Sequence, residues 1–251
     1  SQPNNQVSRP GRNPGHDGLA VKLTQVASPK SLSRVREPER SIIKVAAVQI
    51  NHNVDPAAHT AKLLEAIEIA VDAGAQIIFL PELTLSRYPA DQLPTGAPNR
   101  NAEQLESGPT FSLVSQQAKK YGVVIHASLY QEAGLTDGRG LNTAIVVGSN
   151  GELLGSTPKL HIPVTEGYFE DKYFAPGQSN DPYPVFEMDL VGKPRLGLPT
   201  CWDEWFPEVA RAYALAGADI LCYPTAIGSE PDHPDFDTEP LWRQVIIGHA
   251  I

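Results

Sequence analysis

Short apolar runs alternate with amphipathic segments along most of this 251-residue chain. Residues 43–50 and 76–80 are apolar runs of strand length, and apolar residues recur at helical spacing between them. Asp55 and Pro56 suit the first turn of that helix, and Gly74 suits its end. A strand, a helix and a second strand in this order predict a sheet covered by helices.

The same order recurs in the next part of the chain. A helix is predicted over 109–121 and a strand over 123–129. Two further apolar runs, 141–147 and 152–156, flank Asn150-Gly151, and an Asn-Gly pair in that position strongly indicates a hairpin. The sheet is therefore expected to contain antiparallel as well as parallel strands.

The remaining chain continues the alternation. Strands are predicted over 195–199 and 219–223, and helices over 207–216 and 239–251. The whole pattern is typical of a layered α/β fold with a mixed sheet.

Composition excludes several classes of function. Lys plus Arg number 20 against 29 Asp plus Glu, a net charge of −9, which gives no general attraction to nucleic acid or anionic membranes. Cys201 and Cys222 are the two cysteines, too few for a disulfide framework or a structural zinc site. No apolar run reaches the roughly 18 residues that span a bilayer. These features favour a cytoplasmic location.

The first 41 residues differ in composition from the rest. They carry seven basic and three acidic side chains and are rich in Ser, Asn, Pro and Gly. Because such a segment buries little apolar surface, we expect 1–41 to be a disordered tail and 42–251 to be the folded domain.

Three side chains, Glu82, Cys201 and Glu230, stand where chemistry is expected in an α/β fold, beyond strand ends. Glu82 directly follows an apolar strand, where a carboxylate is costly to bury without partners. Cys201 lies at a strand-to-helix turn that leaves backbone N–H groups free for an oxyanion. Lys159 follows the hairpin. Structural alternatives exist as well: a rim ion pair for Glu82, a buried structural thiol for Cys201, and a solvated surface position for Lys159.

Three motifs together resemble the nitrilase or carbon-nitrogen hydrolase superfamily. They are Leu80-Pro81-Glu82-Leu83, Lys159-Leu160-His161-Ile162-Pro163 and Cys201-Trp202-Asp203-Glu204-Trp205-Phe206-Pro207-Glu208. The resemblance implies an αββα sandwich, assembled as a homodimer or higher homo-oligomer, with no metal or organic cofactor. It also implies a triad of Glu82 as general base, Lys159 as stabiliser of the tetrahedral intermediate and Cys201 as nucleophile.

The resemblance implies further features. Many members carry a second glutamate after the lysine, and residues 170–177 resemble that stretch, so Glu170 is preferred over Glu166. Members continue beyond the position of Ile251 with strands that complete the sandwich, so we expect those strands to be missing here.

Within the superfamily, three segments, 201–208, 223–231 and 242–250, are most similar to the N-carbamoylputrescine amidase group of polyamine biosynthesis. This implies hydrolysis of a small carbamoyl amine to the free amine, ammonia and carbon dioxide. Glu204 stands where relatives acting on N-carbamoyl amino acids place an arginine, and Glu230 is a candidate partner for a ligand ammonium. Tyr88 and Trp202 complete the predicted substrate-binding set.

Other functions remain compatible with the sequence. Aliphatic amidases, nitrilases and N-carbamoyl amino acid hydrolases share the superfamily. A Cys-His-Asp hydrolase would use Cys201 with His161 or His249, since histidine is the more usual base near neutral pH. A binding protein that keeps the fold without catalysis is the remaining alternative.

Overall fold

The computed structural model of the chain describes residues 20–27, 39–165, 167–227 and 235–251. Its larger sheet has five strands in sequence order: β1 (Val45–Ala47), β2 (Ile77–Phe79), β3 (Val124–Gln131), β4 (Leu141–Val147) and β5 (Leu153–Pro158). Strands β1, β2 and β3 are parallel, while β4 is antiparallel to both β3 and β5. The carboxyl ends of β2, β3 and β5 consequently lie at one edge of the sheet.

A second sheet has three strands: β6 (Val185–Glu187), β7 (Arg195–Gly197) and β8 (Ile220–Leu221). Strand β7 is antiparallel to β6 and parallel to β8. Four α-helices complete the described part of the chain: α1 (Pro56–Asp72), α2 (Pro109–Tyr121), α3 (Pro207–Leu215) and α4 (Glu239–Ala250).

Local sequence explains where the first two helices begin and end. Asp55 Oδ1 accepts a hydrogen bond of 3.0 Å from Ala57 N, which satisfies one of the free N–H groups at the start of α1. Proline occupies the first position of both helices. Helix α2 ends at Gly122, whose φ of +64° lies in the left-handed region that favours glycine.

The central strands β3 and β4 bury both of their faces. On one face, residues such as Ile125 and Ile145 pack with Ile67 of α1 and Val114 of α2. On the other face, Val124, Ala144 and Val146 pack against Leu196 of β7 and against Met188, which follows β6. A strand buried on both faces reads as a continuous apolar run, which is the pattern in the sequence.

Helix α3 covers the far side of the second sheet. Its Tyr213 is fully buried and lies against Gly197 of β7. The layers therefore run helix, sheet, sheet, helix, and the predicted αββα sandwich is confirmed. None of the helices in the described residues combines the length and apolar character that a bilayer-spanning segment requires.

The predicted elements occur in the structure, but several strands have other bounds, and β8 spans Ile220–Leu221 within the predicted 219–223. Strand β1 covers three residues, whereas the apolar run predicted eight, and β6 was not predicted at all. Residues 1–19 and 28–38 of the expected tail lie outside the described residues.

Gly197 offers a test of the packing between β7 and α3. A Cβ atom at this position would lie 2.6 Å from Tyr213 Cδ1 and 2.7 Å from Leu221 Cδ2. Because the Tyr213 side chain is enclosed, Gly197→Ala is expected to lower the free energy of unfolding by about 1–3 kcal/mol. The measurement is urea denaturation followed by circular dichroism.

Gly248→Ala is the matched control, because a Cβ atom there meets nothing within 4 Å and the residue lies in α4. That change is expected to stabilise the protein by about 0.5–1 kcal/mol. Equal stability of Gly197→Ala and the unmodified protein would contradict the described contact.

Candidate active site

Glu82 lies just beyond β2 and is buried, yet both of its carboxylate oxygens have donors. Asn142 Nδ2 donates to Oε1 at 2.6 Å, and the backbone N–H of Ala226 donates to Oε2 at 2.6 Å. Lys159 Nζ is 3.4 Å from Oε1. These donors offset the cost of removing a carboxylate from water.

Lys159 lies at the end of β5, and its ammonium group is enclosed by carboxylates. Nζ is 2.9 Å from Oε1 and 2.7 Å from Oε2 of Glu170, in addition to its contact with Glu82. Burial alone would lower the pKa of Lys159, but its interactions with Cys201, Glu82 and Glu170 outweigh burial and raise it. Lys159 is therefore a fixed positive charge.

Glu170 begins a short 3₁₀ helix, Glu170–Lys172, and is buried beside the lysine. Tyr88 OH donates to Glu170 Oε1 at 2.7 Å. Burial raises the pKa of Glu170, an effect that Lys159 opposes and Glu82 reinforces. Burial and the two carboxylates also raise the pKa of Tyr88, so its hydroxyl stays protonated and donates.

Cys201 opens the 3₁₀ helix Cys201–Trp205, which begins shortly after β7, and has a φ of +47°. A non-glycine residue held in this region costs about 1–3 kcal/mol, and such strain is concentrated at functional sites. Sγ and one carboxylate oxygen each of Glu82 and Glu170 lie within 4.8 Å of one another. Burial, together with these two carboxylates, raises the pKa of the Cys201 thiol. The resting sulfur is thus a neutral thiol that requires a base.

Asp203 anchors the turn that carries the thiol. Its Oδ2 accepts from Thr200 N at 2.9 Å, and its Oδ1 accepts from His161 N at 2.9 Å. Oδ1 is also 2.8 Å from His161 Nδ1. One carboxylate thereby joins the cysteine turn to the segment that follows Lys159.

The two histidines considered as alternative bases have other partners. His161 pairs with Asp203, and His249 Nδ1 lies 3.2 Å from Tyr223 OH. Within the described ranges, no hydrogen bond joins Cys201 Sγ to either imidazole. Both imidazoles are thus engaged by groups other than the thiol.

The remaining predicted substrate-binding residues have different environments. Trp202 is half-buried, with its ring 5.9 Å from that of Trp205. Glu204 is 0% exposed, and neither carboxylate oxygen has a hydrogen-bond partner among the described residues. Burial raises its pKa to about 8. Glu230 lies outside the described residues, as does Glu166.

A cavity of about 510 Å³ opens beside Glu82 and Tyr88. Its other walls come from the segments 47–52 and 222–227, which follow β1 and β8. This position, beyond the carboxyl ends of parallel strands, is where α/β folds place ligands.

The same cluster also satisfies the distance requirement of a metal site. Ligand atoms of Glu82, Glu170 and Cys201 are close enough to share one ion. However, the Lys159 ammonium lies 2.7 Å from one carboxylate and 3.4 Å from the other, and it already supplies positive charge there. The arrangement is suited to stabilising a developing oxyanion by a fixed cation.

Residues 44–251 match the sequence profile of a family described as carbon-nitrogen hydrolase. This range covers most of the chain and both sheets. The chain therefore belongs to the carbon-nitrogen hydrolase family, as the three sequence motifs predicted.

Relatives and solved structures agree with this assignment. The chain is 38% identical to a citrullinase from Francisella tularensis, with 83% of this chain and 70% of that protein aligned. It is 36% identical to the N-carbamoylputrescine amidase of Arabidopsis thaliana, over 85% and 69% of the two chains. Both names denote amidohydrolases, and the present chain is one as well.

Among solved structures, a carbon-nitrogen hydrolase from Helicobacter pylori superposes with a TM-score of 0.71 at 27% identity, covering 83% of this chain and 70% of that one. A variant of an amidase from Nesterenkonia sp. AN1 superposes with a TM-score of 0.61 at 25% identity, covering 78% and 69%. In that crystal structure the acetamide moiety of fluoroacetamide is covalently attached to the active-site cysteine.

Sequence reasoning missed the residues that surround Glu82 and Cys201. Asn142 and Ser128 lie within apolar strands, and Asp203 and Ala226 were not singled out. Polar residues inside a doubly buried strand were the available signal, since they are costly there without partners.

Glu204 provides a test of the electrostatics near the cysteine turn. Its pKa is about 8 in the folded protein and about 4.3 in an unfolded chain. Between these values the unfolded state has lost the proton and the folded state keeps it, so stability is expected to fall as pH rises through this window. The slope is at most about 1.4 kcal/mol per pH unit, and it vanishes above about pH 8.

Glu204→Gln is expected to make this decline shallower, because glutamine has no proton to lose. Urea denaturation at several pH values from 5 to 8 measures how the free energy of unfolding changes with pH. Glu208→Gln, in the exposed first turn of α3, is the control and should leave the slope unchanged. An identical slope in Glu204→Gln would show that Glu204 ionises freely.

Proposed function

We propose that the protein hydrolyses the C–N bond of a small carbamoyl amine through a covalent intermediate on Cys201. The observation that supports it best is the buried contact of Lys159 with both Glu82 and Glu170, beside the neutral thiol. The covalent adduct at the active-site cysteine of the Nesterenkonia amidase supports the same role for Cys201.

In the first half of the reaction, Glu82 accepts the Cys201 proton as sulfur attacks the substrate carbonyl carbon. Negative charge then develops on the carbonyl oxygen. Lys159 and the backbone N–H of Trp202 stabilise it, since the first N–H groups of a helix lack acceptors within the helix. Protonated Glu82 gives its proton to the nitrogen that leaves as ammonia.

In the second half, water replaces ammonia in the site. Glu82 accepts a proton from this water as the water oxygen attacks the acyl carbon. The C–S bond then breaks, and Glu82 returns the proton to the sulfur, which restores the thiol. For a carbamoyl amine, the released carbamic acid decomposes to the free amine and carbon dioxide. Glu170 keeps the Lys159 ammonium in place through both steps by its two short contacts.

N-carbamoylputrescine is the substrate that we propose first. Four relatives carrying the name N-carbamoylputrescine amidase are 36–37% identical to this chain. The substrate carries an ammonium at the end of an aliphatic chain, for which Glu230 is the proposed partner. Glu204, with a pKa of about 8, is mostly protonated at pH 7 and would contribute a neutral carboxyl group. Trp202 and Tyr88 are the proposed walls.

Citrulline is the second candidate, because the Francisella citrullinase is 38% identical. Citrulline has the same terminal carbamoyl group but adds a carboxylate beside its ammonium. Selectivity between the two compounds therefore tests whether the distal part of the cavity accepts a negative charge.

The first experiment measures ammonia release by the 251-residue chain from each compound at pH 7.5. We expect a higher kcat/KM for N-carbamoylputrescine than for citrulline, because the cavity walls that the structure describes include no Lys or Arg to pair with the citrulline carboxylate. A preference for citrulline would contradict the substrate proposal but leave the chemistry intact.

Two variants test the chemistry itself. Cys201→Ala is expected to abolish hydrolysis of every substrate, and Glu82→Gln to lower kcat by about 10²–10⁴-fold, the range for one general base. His161→Gln is expected to keep most of the activity, since His161 is bound to Asp203 rather than to the thiol. Full activity in Glu82→Gln with loss in His161→Gln would establish the Cys-His mechanism instead.

A further inference from the structure

Glu82 is connected to a hydrogen-bonded chain that runs into the centre of the large sheet. Asn142 Nδ2 donates to Glu82 Oε1 at 2.6 Å, and Asn142 Oδ1 accepts from Ser128 Oγ at 3.2 Å. Both residues are buried, Asn142 at 1% exposure and Ser128 at 0%. Ser128 faces Ala144 and Asn142 faces Tyr130 across β3 and β4, so the two side chains are diagonal neighbours on one face.

Ser128 also holds the backbone that follows Glu82. Its Oγ accepts from Leu83 N at 3.2 Å, and Leu83 has a φ of +50°, which a leucine rarely adopts. The main chain of Ser128 bonds to Thr84 in both directions, through O to Thr84 N at 2.9 Å and through N to Thr84 Oγ1 at 3.1 Å. One serine thus fixes the turn after Glu82 and orients the amide that contacts Glu82.

The direction of these bonds determines the orientation of the Asn142 amide. A serine hydroxyl that donates to Asn142 must meet the amide oxygen, which leaves the NH₂ group facing Glu82. The reverse orientation would place the amide oxygen against a carboxylate oxygen. The chain therefore presents a donor to Glu82, and a donor favours the carboxylate over the carboxylic acid.

We propose that Asn142 and Ser128 are positioning residues for the reaction, which hold the Glu82 carboxylate in place to accept the Cys201 proton. The inference rests on the proposed role of Glu82 as general base. Neither residue touches the reacting atoms. Their effect is on the fraction of enzyme in which Glu82 is ready to accept a proton.

Several titratable groups surround Glu82 and contribute to the pH dependence of kcat. Lys159 and Glu170 both lie between β5 and β6, and Lys159 contacts both Glu82 and Glu170. Cys201 follows β7, and Tyr88 is hydrogen-bonded to Glu170. The acid limb of the pH–rate profile therefore belongs to the whole cluster. The experiment compares variants in which those four groups are unchanged.

Asn142→Ala removes the donor, and Asn142→Asp replaces it with a second carboxylate beside Glu82. Loss of a hydrogen bond to a charged group is expected to lower kcat at pH 7 by about 10- to 100-fold in Asn142→Ala. The acid limb should move to higher pH in Asn142→Ala and further in Asn142→Asp, because like charges disfavour ionisation. The readout is kcat against pH for the fastest of N-carbamoylputrescine, citrulline and acetamide.

Ser128 supplies an independent test if substitutions at Asn142 prevent folding. Ser128→Ala is expected to lower kcat about 2- to 10-fold and to move the acid limb in the same direction, since the Asn142 amide is no longer oriented. Ser128→Thr keeps the hydroxyl and should retain the unmodified acid limb. A purely structural role would not separate these two variants by their pH profiles.

Thr143→Val is the matched control. Thr143 is a buried polar residue next to Asn142 on β4, but its Oγ1 donates to Gln131 and not toward Glu82. This change should affect stability without moving the acid limb. An acid limb that moves equally in Thr143→Val, or that stays fixed in the Asn142 and Ser128 variants, would overturn the inference.

Glu82→Gln separates this inference from the proposed function. If Glu82→Gln is inactive while the Asn142 and Ser128 variants keep the unmodified profile, Glu82 is the base and only the positioning role is wrong. If Glu82→Gln keeps its activity, the proposed function fails, and the positioning role fails with it.

Discussion

The buried ammonium of Lys159 is the interaction on which the arrangement of the site depends. Glu82 and Glu170 would repel each other in a water-poor environment, and the single positive charge between them makes their proximity possible. Removing one partner from such a buried group leaves an uncompensated charge, which is strongly destabilising. The elements that carry these residues are therefore constrained to meet at one point.

The fold provides that meeting point through the directions of its strands. Strands β2 and β5 run the same way because two antiparallel pairings separate β3 from β5, so Glu82 and Lys159 emerge at the same edge. The second sheet packs on the first and brings the end of β7, with Cys201, beside them. Asp203 then connects the Cys201 turn to the segment after Lys159 by hydrogen bonds that cross between the sheets.

Much of this arrangement could be predicted from the sequence, because the relevant signals are local. The start of α1 at Asp55-Pro56 and the hairpin at Asn150-Gly151 each depend on a few neighbouring residues. The position of Glu82 after an apolar strand was equally visible. Strand β6 was missed because its three residues, Val185–Glu187, carry too short a pattern to distinguish from a loop.

The contacts around Glu82 could not be predicted in the same way. Asn142 lies 60 residues from Glu82 in the chain, and only the register of β3 and β4 brings its amide to the carboxylate. The burial of Glu204 likewise depends on tertiary packing, since its sequence neighbours include both exposed and buried residues. Its position after the cysteine gave no indication that both carboxylate oxygens are enclosed.

The neutral state of the Cys201 thiol has a consequence for how the protein withstands oxidants. Peroxides and disulfides react with thiolates, so a sulfur whose pKa is raised by burial and by two carboxylates is a poor target for them. Sulfenic acid formation and glutathionylation both begin with the same anion. Burial also raises the pKa of Cys222, so the same argument applies to the second cysteine.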